Sequence, residues 1–201
     1  MTEKHPFTTT RRVLLASTSR HRRALLARLQ IPFETESPEV DEARAADESP
    51  REQAVRLALA KALAVAARHP GALVIGADLV CALGDRVLGK PGTTAANREM
   101  LAALAGQTAT FHTAVAIVGI DAGIRQEHVD DTLCNFRPLS GAEIARHVEL
   151  EPALDCAGGF KAESLGISLM SSVYSRDPTG LIGLPLIWVA EQIRPFLRSL
   201  D

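Results

Sequence analysis

Val13-Leu14-Leu15-Ala16-Ser17-Thr18-Ser19-Arg20-His21-Arg22-Arg23-Ala24-Leu25-Leu26 is the stretch whose reading sets the fold class. Four consecutive apolar residues read as a short buried strand. Ser17-Thr18-Ser19 then offers helix-capping oxygens, and Ala24, Leu25 and Leu29 recur at helical spacing over residues 20–29, with Pro32 as the stop. A strand feeding directly into a helix is the opening of an α/β unit. The same alternation continues outward. Ser49-Pro50-Arg51-Glu52 is a cap followed by proline at the first helical position, predicting a helix to about His69 that Pro70-Gly71 ends. Residues 72–81 form a β-rich run, and Gly84-Asp85 turns it into Arg86-Val87-Leu88.

A helix is predicted over residues 94–104, stopped at Gly106. Extended segments at 108–120 and 127–136, joined near Asp121-Ala122-Gly123, predict a long hairpin. Ser140-Gly141-Ala142-Glu143 is a capping-box pattern opening a helix to about Glu149. Residues 151–178, rich in Gly, Ser and Asp, read as loop plus a short strand, and Leu184-Pro185 begins a terminal helix to about Leu197. Helices alternating with strands around an antiparallel insertion make the fold class α/β, a mixed twisted sheet flanked by helices. The expected organisation is a disordered polar tail over residues 1–10 and a single domain over residues 11–201.

The 201 residues are 46% hydrophobic and 23% charged, enough for a sizeable core and too apolar for wholesale disorder. A net charge of -2 with only six Phe, one Trp and one Tyr argues against a nucleic-acid partner. Cys81, Cys134 and Cys156 match no zinc or CxxC spacing and read as reduced thiols. The first ten residues hold no signal-peptide pattern and no stretch is apolar enough to span a bilayer. The expected location is therefore the cytoplasm, with no membrane partner.

Five places could carry chemistry. Ser17 to Arg23 lies where a strand enters a helix, with orphan N–H groups, two serine hydroxyls and three arginines; it is either an anion cradle or a capped, solvated basic turn. Asp78 interrupts an apolar run from Leu73 to Leu83, where a carboxylate is costly unless paired, bound to metal or used in chemistry. Lys61 shares a helix face with Ala54, Ala58 and Val65, so it points inward or snorkels. Lys90, in Gly89-Lys90-Pro91, is a second cation, and Asp41-Glu42 is an acidic pair that reads equally as solvated loop. In residues 155–163, Gly158-Gly159 permits close backbone approach, and Lys161 and Glu163 share a face if the segment is extended.

Taken in order, these pieces resemble the Maf family of nucleotide pyrophosphatases. The matching pieces are Leu15-Ala16-Ser17-Thr18-Ser19 with Arg22-Arg23, Glu39-Val40-Asp41-Glu42, Leu59-Ala60-Lys61-Ala62 and Ile75-Gly76-Ala77-Asp78. Gly89-Lys90-Pro91, Leu104-Ala105-Gly106 with His112-Thr113, Ala157-Gly158-Gly159-Phe160 and Gly183-Leu184-Pro185-Leu186 complete them. The resemblance covers nearly all of the chain after residue 11. It implies a Maf/ITPase-like fold with a deep central cleft, a homodimer, a divalent cation (Mg, Mn or Co), and hydrolysis of a nucleoside triphosphate between its α- and β-phosphates. Carried over by position, Asp78 is the proton acceptor, and Ser17, Ser19 and Arg22 hold phosphate. Lys61 and Lys90 neutralise phosphoryl charge, and Asp41 or Glu42 joins Asp78 in binding metal.

Residues 157–166, Arg176-Asp177-Pro178 and Leu181 to Pro185 are similar to the 7-methyl-GTP branch of that family, whereas its dTTP/UTP branch carries a glutamine near Glu163. Guanine presents two N–H donors on its pairing edge, which a carboxylate accepts, and a 7-methylated guanine is cationic. Position 79 is Leu where the family carries a polar residue, and position 21 is His where this branch carries tryptophan. Base selection therefore falls to His21, Leu79, Lys161 and Glu163. Besides pyrophosphatases for 7-methyl-GTP or for dTTP and UTP, the same cradle would serve a non-catalytic nucleotide-binding regulator of septum formation.

Overall fold

The strand that opens the chain's first βα unit is β2 (Val13–Ala16), and the helix it feeds is α1 (Arg20–Ala27). Residues 7–199 are described by the computed structural model. In chain order the remaining elements begin with β1 (Phe7–Thr9), which precedes β2. After α1 come β3 (Glu34–Glu36), α2 (Pro50–Arg68), β4 (Leu73–Leu83), β5 (Arg86–Leu88), α3 (Thr94–Leu104) and β6 (Thr108–Gly119). They are followed by β7 (Ile124–Phe136), α4 (Gly141–Leu150), β8 (Met170–Tyr174), α5 (Leu186–Ile193) and β9 (Leu197–Ser199). The main sheet has seven strands in the order β3-β2-β4-β6-β7-β8, with β5 joined to β4. β2 runs parallel to β3 and β4, and the β4, β6, β7 and β8 pairings are antiparallel, which makes the sheet mixed as expected.

The two faces of β4 explain the layers. Leu73, Ile75 and Ala77 pack with Leu25 and Leu26 of α1 and with Leu186, Val189 and Ile193 of α5. Further along that face, Cys81 packs with Leu101 and Leu104 of α3 and with Ile144 and Val148 of α4. The opposite face carries α2, whose Ala62, Val65 and Ala66 meet Val74 and whose Ala54 and Ala58 meet Val80. α2 starts at a complete capping box: Ser49 Oγ accepts from the Glu52 N–H at 3.2 Å and Glu52 Oε2 accepts from the Ser49 N–H at 2.8 Å. α2 lies close on the sheet because Gly76 has no side chain; a Cβ there would sit 2.3 Å from Ala58 O and 2.5 Å from Ala62 N.

Several expectations are corrected. The tail expected over residues 1–10 ends in a strand, because Phe7–Thr9 pairs antiparallel with Leu197–Ser199 and the Thr10 N–H donates to Phe196 O at 2.8 Å. That partner lies at the far end of the chain, beyond the reach of local patterning; residues 1–6 lie outside the described residues. The terminal helix stops at Ile193 instead of reaching Leu197. Pro195 cannot donate a backbone hydrogen bond, so the helix ends there and a 3₁₀ turn leads into β9. The second hairpin strand starts at Ile124, three residues before the expected start, because Gly123 (φ 62°) closes the turn at once. β3, Glu34-Thr35-Glu36, was not anticipated. No helix among the described residues is long and apolar enough to cross a membrane.

Candidate active site

The cleft opens where β4, paired with β6 along one edge, lacks a neighbour along the other. β2 leaves β4 at the Ala16–Gly76 pair, and β5 joins it only at the Cys81–Leu88 pair. Residues 77–80 lie between these two partners, just beyond the carboxyl end of β2, which is where open α/β sheets bind ligands. The space there, about 830 Å³, is walled by the Ser17–Arg22 turn, α2, the 38–42 loop, the turn after β5 and residues 155–163.

At its floor Asp78 and Lys61 are both buried, and Lys61 Nζ donates to Asp78 Oδ1 at 2.6 Å. Lys61 Nζ also lies 2.6 Å from Glu42 Oε1, so one ammonium joins two carboxylates from separate loops and strands. Lys61 thus points inward, held by α2's contact with Gly76. Desolvation pushes the Glu42 carboxyl up, but the Lys61 hydrogen bond and the charges of Lys61, Lys90 and Arg22 hold it below the usual carboxylate range. Arg22 is pulled below its ordinary value by desolvation, opposed by the charges of Asp78 and Glu42. Five segments far apart in sequence, carrying Arg22, Glu42, Lys61, Asp78 and Lys90, thereby sense one another's charge.

Ser17 Oγ accepts from the Ser19 N–H at 3.1 Å, and Ser19 Oγ caps α1 by accepting from the Arg22 N–H at 3.4 Å. Each oxygen serves the backbone, and each O–H proton stays available to an outside acceptor. The first-turn N–H groups of α1 and its dipole favour an anion at the same place. Arg22 Nε donates to Gly183 O at 3.0 Å, and its terminal nitrogens have no protein partner among the described residues. That carbonyl anchor was missed by sequence reasoning, although the Gly183-Leu184-Pro185 motif stood out. Gly183, at φ 121°, turns the chain tightly enough to aim it.

Across the mouth, His21 Nδ1 lies 2.8 Å from Glu163 Oε1, and Arg20 Nε donates to His21 Nε2 at 3.3 Å. The second bond leaves the imidazole proton on Nδ1, where it donates to Glu163. Arg20 Nη2 also approaches Asp155 Oδ2 at 3.9 Å, so the first turn of α1 touches residues 155–163 twice. Leu79, Lys90 and Lys161 line the same space. Asp41 does not join them. It is exposed, and its Oδ1 accepts from the Ala43 N–H at 2.9 Å, closing a local turn while Glu42 faces inward. Of the two loop carboxylates Glu42, not Asp41, is therefore the one beside Asp78, and no group of three or more His, Cys, Asp or Glu suited to a metal occurs among the described residues.

The family description "Maf-like protein" matches residues 12–196. The chain belongs to the Maf family. Its site residues all fall within that match, and its relatives are similar over nearly their full length. A protein named 7-methyl-GTP pyrophosphatase from Xanthomonas oryzae pv. oryzae (strain MAFF 311018) is 52% identical over 184 residues, covering 91% of this chain and 95% of the relative. Proteins of the same name from Aromatoleum aromaticum (52% identical, covering 91% and 94%) and Albidiferax ferrireducens (46% identical, covering 92% and 92%) are also similar. Among solved structures, the Staphylococcus aureus Ham1 protein is similar to this Maf protein over 63% of this chain and 72% of its own, with a TM-score of 0.47 and 16% identity.

Proposed function

We propose that this Maf protein is a 7-methyl-GTP pyrophosphatase, hydrolysing the α–β phosphoanhydride to 7-methyl-GMP and pyrophosphate. The observation that carries the reading is the buried Asp78–Lys61 pair at the floor of a cleft, which Glu42 reaches from the 38–42 loop, beneath hydroxyls and an arginine suited to phosphate. Phosphoryl transfer needs positioning and charge stabilisation more than covalent chemistry. The hydroxyls of Ser17 and Ser19 and the terminal nitrogens of Arg22 hold phosphoryl oxygens. Asp78 accepts the proton of the attacking water, oriented by its bond to Lys61. Lys61 and Lys90 stabilise the charge that grows on the phosphoryl oxygens as the anhydride breaks.

The charges lining the cleft balance. Arg20, Arg22, Lys61, Lys90 and Lys161 face Glu39, Glu42, Asp78, Asp155 and Glu163, so the protein leaves most of a triphosphate's charge unneutralised. Two carboxylates beside bound phosphates suit a hard divalent cation that keeps part of its water shell. Glu42 and Asp78 would hold it, and it would supply Lewis-acid neutralisation of the polyphosphate. Removing divalent ions with EDTA should lower turnover by about a hundredfold or more. The melting temperature of the nucleotide-free protein should stay unchanged, since no three-carboxylate cage is built. A large EDTA-induced drop in melting temperature would assign the metal a structural role instead.

Support for the base comes from Glu163, which stands at the mouth as a carboxylate where the dTTP/UTP branch carries an amide. Guanine's two N–H donors suit it, and the positive charge of a 7-methylated ring adds attraction. Kinetics on 7-methyl-GTP, GTP, dTTP and UTP with magnesium or manganese test the reading, with the highest kcat/KM expected for 7-methyl-GTP. Glu163→Gln should lower kcat/KM for 7-methyl-GTP roughly 10- to 100-fold while leaving dTTP within a fewfold. Equal losses on both nucleotides would remove Glu163 from base selection.

A further inference from the structure

We propose that Gln53 is a further substrate-positioning residue, its amide carbonyl oxygen receiving an O–H from a ribose hydroxyl of the bound nucleotide or from a water held on its polyphosphate. The inference rests on the nucleotide reading of the cleft and adds a contact to it. Gln53, Leu57 and Lys61 recur at i, i+4 and i+8 on α2, so they share one helix face, and all three line the cleft. At 1.5 Å per residue Gln53 sits about 12 Å along the helix axis from Lys61, two turns nearer the N-terminus. It is only 9% exposed, and its Oε1 is buried with no hydrogen-bond partner among the described residues. Asp130 Oδ1 and His147 Nε2 are also buried and unpaired among the described residues, but of the three only Gln53 lines the cleft, and an orphaned acceptor costs stability unless a bound ligand or water satisfies it.

The chemistry of that atom narrows what satisfies it. A carbonyl oxygen accepts and never donates, and ionised phosphoryl oxygens are acceptors too, so a direct bond between them is excluded. Glu163, at the mouth, is the acceptor matched to the base N–H groups. The donors left on a bound nucleoside triphosphate are the ribose hydroxyls and the waters on its phosphates. Leu57, between Gln53 and Lys61, has no polar atom to compete for them. Gln53 therefore extends the polar wall of α2 beyond the reacting centre.

The test is calorimetric binding to wild type, Gln53→Met and Gln53→Asn, with inorganic pyrophosphate, 7-methyl-GMP and a non-hydrolysable α,β-methylene analogue of 7-methyl-GTP as probes. Met keeps the volume and removes the acceptor; Asn keeps the amide and withdraws it, with little risk to folding. The analogue is expected to bind both variants about five- to tenfold more weakly, while Gln53→Met melts at or above the wild-type temperature because the unpaired amide is gone. A loss confined to pyrophosphate and the analogue places the Gln53 contact at the polyphosphate and its waters, and a loss confined to 7-methyl-GMP and the analogue places it at the ribose. Variants that bind every probe within twofold of wild type overturn the role of Gln53 alone. A wild-type protein that binds none of the three overturns the nucleotide reading and this inference with it.

Discussion

Asp78→Asn is expected to lower kcat for pyrophosphate release by about 10²- to 10⁴-fold, the usual contribution of a positioned general base. KM should move little. The substitution is nearly isosteric, and an amide oxygen still accepts from Lys61 Nζ, which lies 2.6 Å from the aspartate oxygen. Lys61 also keeps Glu42 at 2.6 Å, so no buried ammonium is left without a counter-charge and the fold should survive. What is lost is a carboxylate able to take a proton. Steady-state pyrophosphate release, read beside circular dichroism and a melting curve, checks this. A folded variant with kcat within threefold of wild type would remove Asp78 from the reaction.

Gly76→Ala is expected to be the most damaging substitution by a single methyl group. Its Cβ would lie 2.3 Å from Ala58 O and 2.5 Å from Ala62 N, both backbone atoms of α2 that cannot rotate aside. Overpacking of this kind costs about 3 kcal/mol. In a chain of this length that corresponds to a fall in melting temperature of roughly 6–12 °C. Relief comes only by lifting α2 from the sheet, and α2 carries Lys61 toward Asp78, so kcat should fall as well. Gly71→Ala is the matched control, since nothing lies within 4 Å of the added atom. Differential scanning calorimetry and kinetics on the two variants separate the outcomes, and equal melting temperatures would show that α2 does not depend on Gly76.

Much of this was legible in the sequence wherever a local rule was broken. Asp78 stood out as a charge in an apolar strand and Lys61 as a cation in an apolar helix stripe. Each proves to be the other's partner, which single-residue reasoning could pose as a question but not answer. Both capping boxes, at Ser49 and Ser140, start helices where expected because their chemistry lies within three residues. What escaped depended on distant or ambiguous partners. β3 is three residues with two glutamates and exists because β2 offers it a parallel edge. β1 needs β9. Asp41 and Glu42 are adjacent carboxylates, and only the path of the loop decides which turns inward. The His21–Glu163 contact and the Gly183 carbonyl on Arg22 join residues that no periodicity connects. The wall formed by Gln53, Leu57 and Lys61 was hidden because Gln53, a polar residue in the first turn of its helix, reads in sequence as an ordinary solvated position.

On the proposed reading, this cleft directs water to the α–β anhydride of a 7-methylguanosine triphosphate, with the Asp78 carboxylate taking the proton. Phosphorus NMR of the products formed from 7-methyl-GTP and magnesium by wild type and Asp78→Asn tests it most directly. Wild type should yield pyrophosphate and 7-methyl-GMP in equal amounts with no orthophosphate, and the variant should yield almost none of either. Orthophosphate with 7-methyl-GDP, or pyrophosphate released as fast by the variant, would contradict it.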